Sequence, residues 1–208
     1  MNLERFKSLV PTRVRAARSR FIEKRDWVAR QFASPSPSYI KRQVLLRNGI
    51  PGAAWIETGT YLGDTTLILA NYSKRVISIE PDEELYRRAI NRFASFHNVE
   101  IINGLSEEVF PQLLPQLHEE INFWLDGHFS GGITHRGPKK TPIVDELRCI
   151  EINLSNFSRI VVLVDDVRCF NPVRPEYRGY PPLDVLVDWA RKNNLTWHIE
   201  HDIFIANS

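Results

Sequence analysis

From residue 53 onward, short runs dense in β-branched and aromatic residues alternate with segments whose apolar positions recur every three or four residues. The runs at 53–58, 75–80, 99–103, 121–126 and 159–165 read as strands. The segments near 64–73, 82–96, 106–116, 141–156 and 182–193 read as helices. This alternation predicts a parallel sheet, because a strand reaches a parallel neighbour only through a crossover connection. The ending differs: "TWHIEHDIFIAN" holds two strand-like runs with almost no residues between them, which only a tight antiparallel hairpin can join. The expected architecture is an α/β, doubly wound, mostly parallel sheet that finishes in a reversed strand.

Ahead of residue 53 the pattern changes. Pro11 and Thr12 mark a helix start, and Val14, Ala17, Phe21, Val28 and Phe32 then recur at near-helical spacing with arginines between them. "ASPSPSY" (33–39) reads as a linker. The chain therefore divides into a basic amphipathic helical arm with its linker over 1–38, and a domain over 39–208. At 208 residues one such domain buries a substantial core without disulfides or structural metals.

Charge sharpens this division. Residues 1–32 carry nine Lys and Arg against three acids, whereas the rest of the chain carries eighteen against twenty-two. A body that is slightly acidic lacks the basic stripe that phosphate backbones require, which argues against a nucleic-acid partner. The arm suits packing on its own domain or on a second copy in a homodimer, or a weak contact with an anionic membrane surface. No apolar run approaches the length of a membrane span. Two cysteines and no signal-peptide pattern make the cytoplasm the expected location.

In a sheet of this kind ligands bind beyond the carboxyl ends of the strands, so the first strand-to-helix turn comes first. It reads "ETGTYLGDTT", from Glu57 to Thr66. A P-loop would carry Lys-Ser/Thr after its last glycine, and this turn has Asp64, Thr65 and Thr66 there. A dinucleotide fingerprint requires three glycines, and only Gly59 and Gly63 are present. Asp64 at the helix start also repels a pyrophosphate. Glu57 at the strand end suits a cation instead. Glu80 ends the next strand, 21 residues after Gly59, where an acid can accept hydrogen bonds from ribose hydroxyls. A ribose, an adenine and a positively charged amino-acid tail occur together in S-adenosylmethionine.

This set of residues, with "NGLSEE" (103–108) and the final hairpin, resembles the class I S-adenosylmethionine-dependent methyltransferases over residues 53–208. The resemblance implies a Rossmann-like, seven-stranded sheet in the order 3-2-1-4-5-7-6 with strand 7 antiparallel. It places Glu57, Thr58, Gly59, Tyr61, Gly63 and Thr65 around the methionine moiety, Glu80 on the ribose, Gly104 and Ser106 beside the adenine, and Asp126 near the cofactor. The alternatives from other classes are an NAD-dependent oxidoreductase that uses Glu80 on a ribose, and a non-catalytic binding or scaffold module.

The strands "FWLDGH" and "VVLVDD" bring Asp126, Asp165 and Asp166 to the carboxyl edge of the sheet. Carboxylates gathered there repel one another unless a cation or a shared proton neutralises them. An oxygen-rich donor set favours a hard ion such as Mg²⁺, which can hold an acceptor diol and acidify one hydroxyl. The constellation resembles the metal-dependent O-methyltransferases of the catechol and macrocin types, and that resemblance makes Asp126, Asp165 and Asp166 the metal ligands. It departs from the catechol type in having Phe129 where that type has a lysine base. His128, with its near-neutral pKa, is the replacement base. The alternative is that Asp126 supports the cofactor, Asp165 caps a loop and Asp166 pairs with Arg168. Long loops over 128–142 and 168–182 offer Gly131, Gly132, Thr134, Arg136, Arg174, Tyr177, Arg178 and Tyr180 as acceptor contacts. The acceptor expected is a small polar hydroxyl compound, a sugar among them.

Overall fold

The structure is a computed structural model that describes residues 12–127 and 140–208, with side-chain surroundings described from residue 17. Two helices, α1 (Thr12–Ala29) and α2 (Ser38–Asn48), precede the sheet. The alternating part follows as β1 (Ala54–Thr58), α3 (Asp64–Tyr72), β2 (Val76–Glu80), α4 (Glu83–Phe93), β3 (Val99–Asn103), α5 (Ser106–Leu113) and β4 (Ile121–Leu125). It continues with α6 (Ile143–Asn153), β5 (Ile160–Val164), α7 (Asp184–Lys192), β6 (Thr196–Glu200) and β7 (Ile203–Asn207). Every strand and every helix expected after residue 53 is present, displaced by three residues at most at either end.

The seven strands form one sheet in the order β3-β2-β1-β4-β5-β7-β6. β7 runs antiparallel to both β5 and β6, and the other pairings are parallel. Strands β1, β2, β4 and β5 are buried at all five positions, because helices cover both faces of a parallel sheet. Side chains alternate between those faces. Ile56, Phe123 and Val162 join the larger core with α5, α6 and α7, whereas Trp55, Trp124 and Leu163 join the smaller core with α2 and α3. Edge strand β6 is mostly exposed.

One polar residue in this interior has a structural task. Asn122 is fully buried on β4; its Oδ1 accepts from the Ile50 N–H at 2.7 Å and its Nδ2 donates to the Ile50 carbonyl at 3.1 Å. It ties the segment before β1 to the sheet. Asn122→Ala strands the Ile50 N–H, while the Ile50 carbonyl keeps the Ala53 N–H at 3.3 Å, and the expected loss is about 1–2 kcal/mol, read as a lower urea midpoint with an unchanged denaturant slope.

The region before β1 departs from expectation. In "ASPSPSY", read as a linker, residues 33–37 connect α1 to α2 without helix or strand, but Ser36 and Pro37 are buried, Ser36 Oγ donates to the His201 carbonyl at 3.3 Å, and α2 begins at Ser38. The α2 sequence is short and rich in basic residues, and only Val44 and Leu45 are fully buried, so local periodicity carries little helical signal. Its packing against α3 and Trp55 decides its conformation. The apolar stripe of α1 faces outward, with Phe21 67% and Val28 47% exposed, and Phe32, in the turn after the helix, is exposed as well. The arm meets the body near its end: Glu23 accepts from the Ser38 N–H at 2.8 Å, and Trp27 sits edge-on to His201. No helix among the described residues is long and apolar enough to cross a membrane.

Candidate functional site

The carboxyl ends of β1, β2, β4 and β5 converge on the turn after β1. Gly59 adopts φ +87°, and a Cβ placed on it would stand 2.8 Å from the Asp126 carbonyl oxygen. The turn is therefore pressed against the end of β4, as only glycine allows. Tyr61 is also left-handed at φ +49°, and Gly63 N–H closes the turn on the Thr60 carbonyl at 2.8 Å. Gly63, at φ +76°, packs its Cα against Phe93 and starts α3.

Glu57 lies beneath this turn, 1% exposed, in register with Ser78 on β2 and Trp124 on β4. Its Oε2 accepts from the hydroxyls of Thr66 (2.5 Å) and Ser78 (2.6 Å), and Thr60 extends the chain through Ser78. Oε1 is buried with no hydrogen-bond partner among the described residues. Burial pushes the carboxyl up to about 7, against the pull of the two hydroxyls, and nearby Asp126 and Glu80 add to the rise.

Glu80 is buried at the end of β2. Its Oε2 accepts from the Tyr61 N–H at 2.7 Å, which links the two strand ends, and its Oε1 accepts from the Asp82 N–H at 2.9 Å. Gly104 N–H and the Asn103 side chain both donate to the Glu80 carbonyl, so the start of α5 at Ser106 is fixed beside it. Thr58 Oγ1 accepts from the Asp126 N–H at 3.2 Å. Thus Glu57, Thr58, Gly59, Tyr61, Gly63, Glu80, Gly104, Ser106 and Asp126 are gathered at one edge of the sheet. Asp64 does not join them, being paired with Arg92 at 2.8 Å on the surface.

A second cleft of about 330 Å³ opens between α2 and the ends of β4 and β5, and Thr65, Trp124 and Asp126 form the side towards the first site. Asp165 and Asp166 are both buried there. Asp166 is left-handed at φ +57°, a conformation aspartate tolerates better than most residues. Lys41 of α2 donates to Asp165 Oδ1 (2.6 Å), Asp165 Oδ2 (2.8 Å) and Asp166 Oδ1 (2.7 Å). Arg168 grips Asp166 at 2.5 and 3.0 Å and also pairs with buried Asp202. Burial alone would lower the Lys41 pKa, but the two aspartates outweigh it and hold the ammonium above its ordinary range.

This arrangement changes the expected metal centre. Asp165 and Asp166 already carry an ammonium and a guanidinium, and no group of three metal-ligating side chains is arranged for an ion among the described residues. The donor set does not fit Mg²⁺. His128, the expected base, lies outside the described residues, as do Gly131, Gly132, Thr134 and Arg136. Tyr180 is packed edge-on against Phe170, while Arg174 and Arg178 are exposed beyond it.

Two residues escaped the sequence reading. Lys41 sits in a segment read as the start of the domain with no element assigned, and no periodic signal singles it out. Glu146 left a trace: it interrupts the apolar face Ile143, Leu147, Ile150 of α6 and is 1% exposed. Its Oε1 stands 3.4 Å from where a Gly127 side chain would begin, directly under the end of β4.

No protein-family model matches the chain, and no curated protein matches it. Solved structures do. A candidate caffeoyl-CoA O-methyltransferase from Staphylococcus aureus is 18% identical, with 82% of this chain and 81% of that one aligned and a TM-score of 0.54. A candidate methyltransferase from Streptococcus mutans, in complex with SAH, is 12% identical, with coverage of 84% and 98% and a TM-score of 0.51. The 23S rRNA methyltransferase ErmE is 13% identical, with coverage of 82% and 66% and a TM-score of 0.50. The shared sheet order and reversed last strand make this the Rossmann-like fold of methyltransferases.

Proposed function

We propose that the chain is an S-adenosylmethionine-dependent methyltransferase whose acceptor is a hydroxyl of a small polar molecule, a sugar among the candidates. Glu57 carries this reading. A carboxyl sealed from water, with one oxygen unsatisfied and acidic neighbours at Asp126 and Glu80, is costly unless a cation arrives. A ligand with an ammonium tail and a ribose fits both Glu57 and Glu80.

In this reading Glu57, Thr58, Gly59, Tyr61, Gly63 and Thr65 surround the methionine moiety. Glu80 takes the ribose hydroxyls, Gly104 and Ser106 flank the adenine, and Asp126 stands between the cofactor and the acceptor. The bound cofactor supplies an electrophilic methyl group. The chain's own contribution is to hold the acceptor oxygen in line and to receive its proton, for which Asp126 and His128 are the proposed groups. A slightly acidic body favours a small acceptor over RNA, and the outward stripe of α1 suits a second copy.

Calorimetric titration of the full chain with S-adenosylhomocysteine tests this. Micromolar binding, about −8 kcal/mol, is expected. A folded protein that gives no heat with it but binds NAD would overturn the proposal in favour of an oxidoreductase.

A further inference from the structure

We infer that Lys41 is the resident cation of the cleft beside α2, taking the place of a divalent metal between Asp165 and Asp166, so that this cleft receives its hydroxyl-bearing ligand without a metal. That the ligand is the methyl acceptor rests on the methyltransferase reading. The substitution of lysine for metal does not.

Three observations carry the inference. The ammonium of Lys41 lies 2.6 and 2.8 Å from the two oxygens of Asp165 and 2.7 Å from Asp166 Oδ1, so that it bridges the two carboxylates. Those are the lengths of charge-assisted hydrogen bonds. The remaining oxygen of the pair, Asp166 Oδ2, accepts from Arg168 at 3.0 Å, and Asp165 Oδ1 also accepts from the Asp166 N–H at 2.7 Å. Every carboxylate oxygen is thus engaged. A divalent ion binds such oxygens at roughly 2.0–2.6 Å, so it would have to displace the ammonium and stand beside a guanidinium as well.

The second observation is the anchoring of Lys41. Its side chain is only 15% exposed, and Val44 and Leu45, three and four residues on and hence on the same helix face, are locked in the core. The lysine is therefore held over the strand ends and does not sweep the surface. Third, the same cluster lines an open cleft with Trp124 and Asp126. Lys41 and Arg168, with side chains 15% and 28% exposed, line that cleft together with the carboxylates they neutralise, and such groups can hydrogen-bond vicinal hydroxyls in the role that a metal plays in a diol site.

The test uses Mn²⁺ as the probe, followed by its electron paramagnetic resonance, on EDTA-treated full-length protein, with an S-adenosylhomocysteine titration run on the same samples. The wild type is expected to show no saturable Mn²⁺ binding below about 1 mM, and the same melting temperature in EDTA as in MgCl₂. Lys41→Gln, which uncovers the carboxylates, is expected to bind Mn²⁺ at least ten-fold more tightly. Lys41→Arg, which restores a cation, is expected to stay silent. Micromolar Mn²⁺ binding by the wild type that Asp165→Asn abolishes would overturn the inference, and this outcome requires no Lys41 variant to fold. So would a folded Lys41→Gln protein that binds Mn²⁺ no better than the wild type. Failure to bind S-adenosylhomocysteine strikes the methyltransferase reading and leaves the Mn²⁺ result standing.

Discussion

Glu57→Gln is expected to remove roughly 3 kcal/mol from the decline in stability that the wild type shows between about pH 4.5 and pH 8, leaving the share of Asp165, whose carboxyl burial also pushes up, to about 8, and at the same time to weaken S-adenosylhomocysteine binding by about 10–100-fold. The unfolded chain ionises this carboxyl near its ordinary value of 4.5, whereas burial holds the folded one protonated up to about 7. The folded state therefore binds the proton more tightly. The resulting stabilisation is whole below the unfolded pKa and is lost as pH rises through the folded one. At about 1.4 kcal/mol per pKa unit the wild type forfeits roughly 3 kcal/mol through Glu57 across that window, and a glutamine, which does not titrate, forfeits none of it.

The amide can still accept from Thr66 and Ser78, so the loop retains its ties. What it loses is the charge that a cationic ligand requires. Because such a ligand binds the ionised form, wild-type affinity should weaken as pH falls below 7, and the variant's should not change. Urea denaturation and calorimetry at pH 5, 6, 7 and 8 measure both effects. Parallel stability curves for the two proteins, or undiminished binding by the variant, would count against Glu57 as the cation receptor.

The second large effect is expected at Gly59, and Gly52 provides its control. Both are left-handed, at φ +87° and +74°, so alanine pays a similar backbone cost at each, about 1–2 kcal/mol. Their surroundings differ. A Cβ at Gly52 meets nothing within 4 Å, while one at Gly59 meets the backbone of Asp126 at 2.8 and 3.2 Å. Backbone at the end of a central strand yields little, and overpacking adds roughly 1–3 kcal/mol. Gly59→Ala is therefore expected to lose more stability than Gly52→Ala by about that amount. It should also lose S-adenosylhomocysteine binding, because the turn that carries Tyr61 to Glu80 must lift away from β4. Equal losses at the two glycines, with binding intact in both, would show that the close approach to Asp126 has no functional weight.

The sequence by itself determined the sheet and its first strand-to-helix turn. Val, Ile and aromatic runs such as "VISIE" and "IVVLV" are buried on both faces and have no other stable use in a chain of this pattern. Between such strands the crossovers must be helices. The spacing from Gly59 to Glu80 follows from one crossover unit, so local rules sufficed to bring these residues to one edge. The partners of a charge are another matter. Asp165 and Asp166 looked like metal ligands because adjacent carboxylates at a strand end require a cation, and composition alone does not say which cation. The answer came from Lys41, 124 residues earlier for Asp165, on a helix that forms because it packs on α3 and Trp55. Likewise Glu146 acquires its place under Gly127 only when α6 lies on the sheet. Patterning specifies which residues are buried and in what order the elements follow. Which charges meet depends on contacts between residues far apart in sequence, and only the tertiary structure decides those.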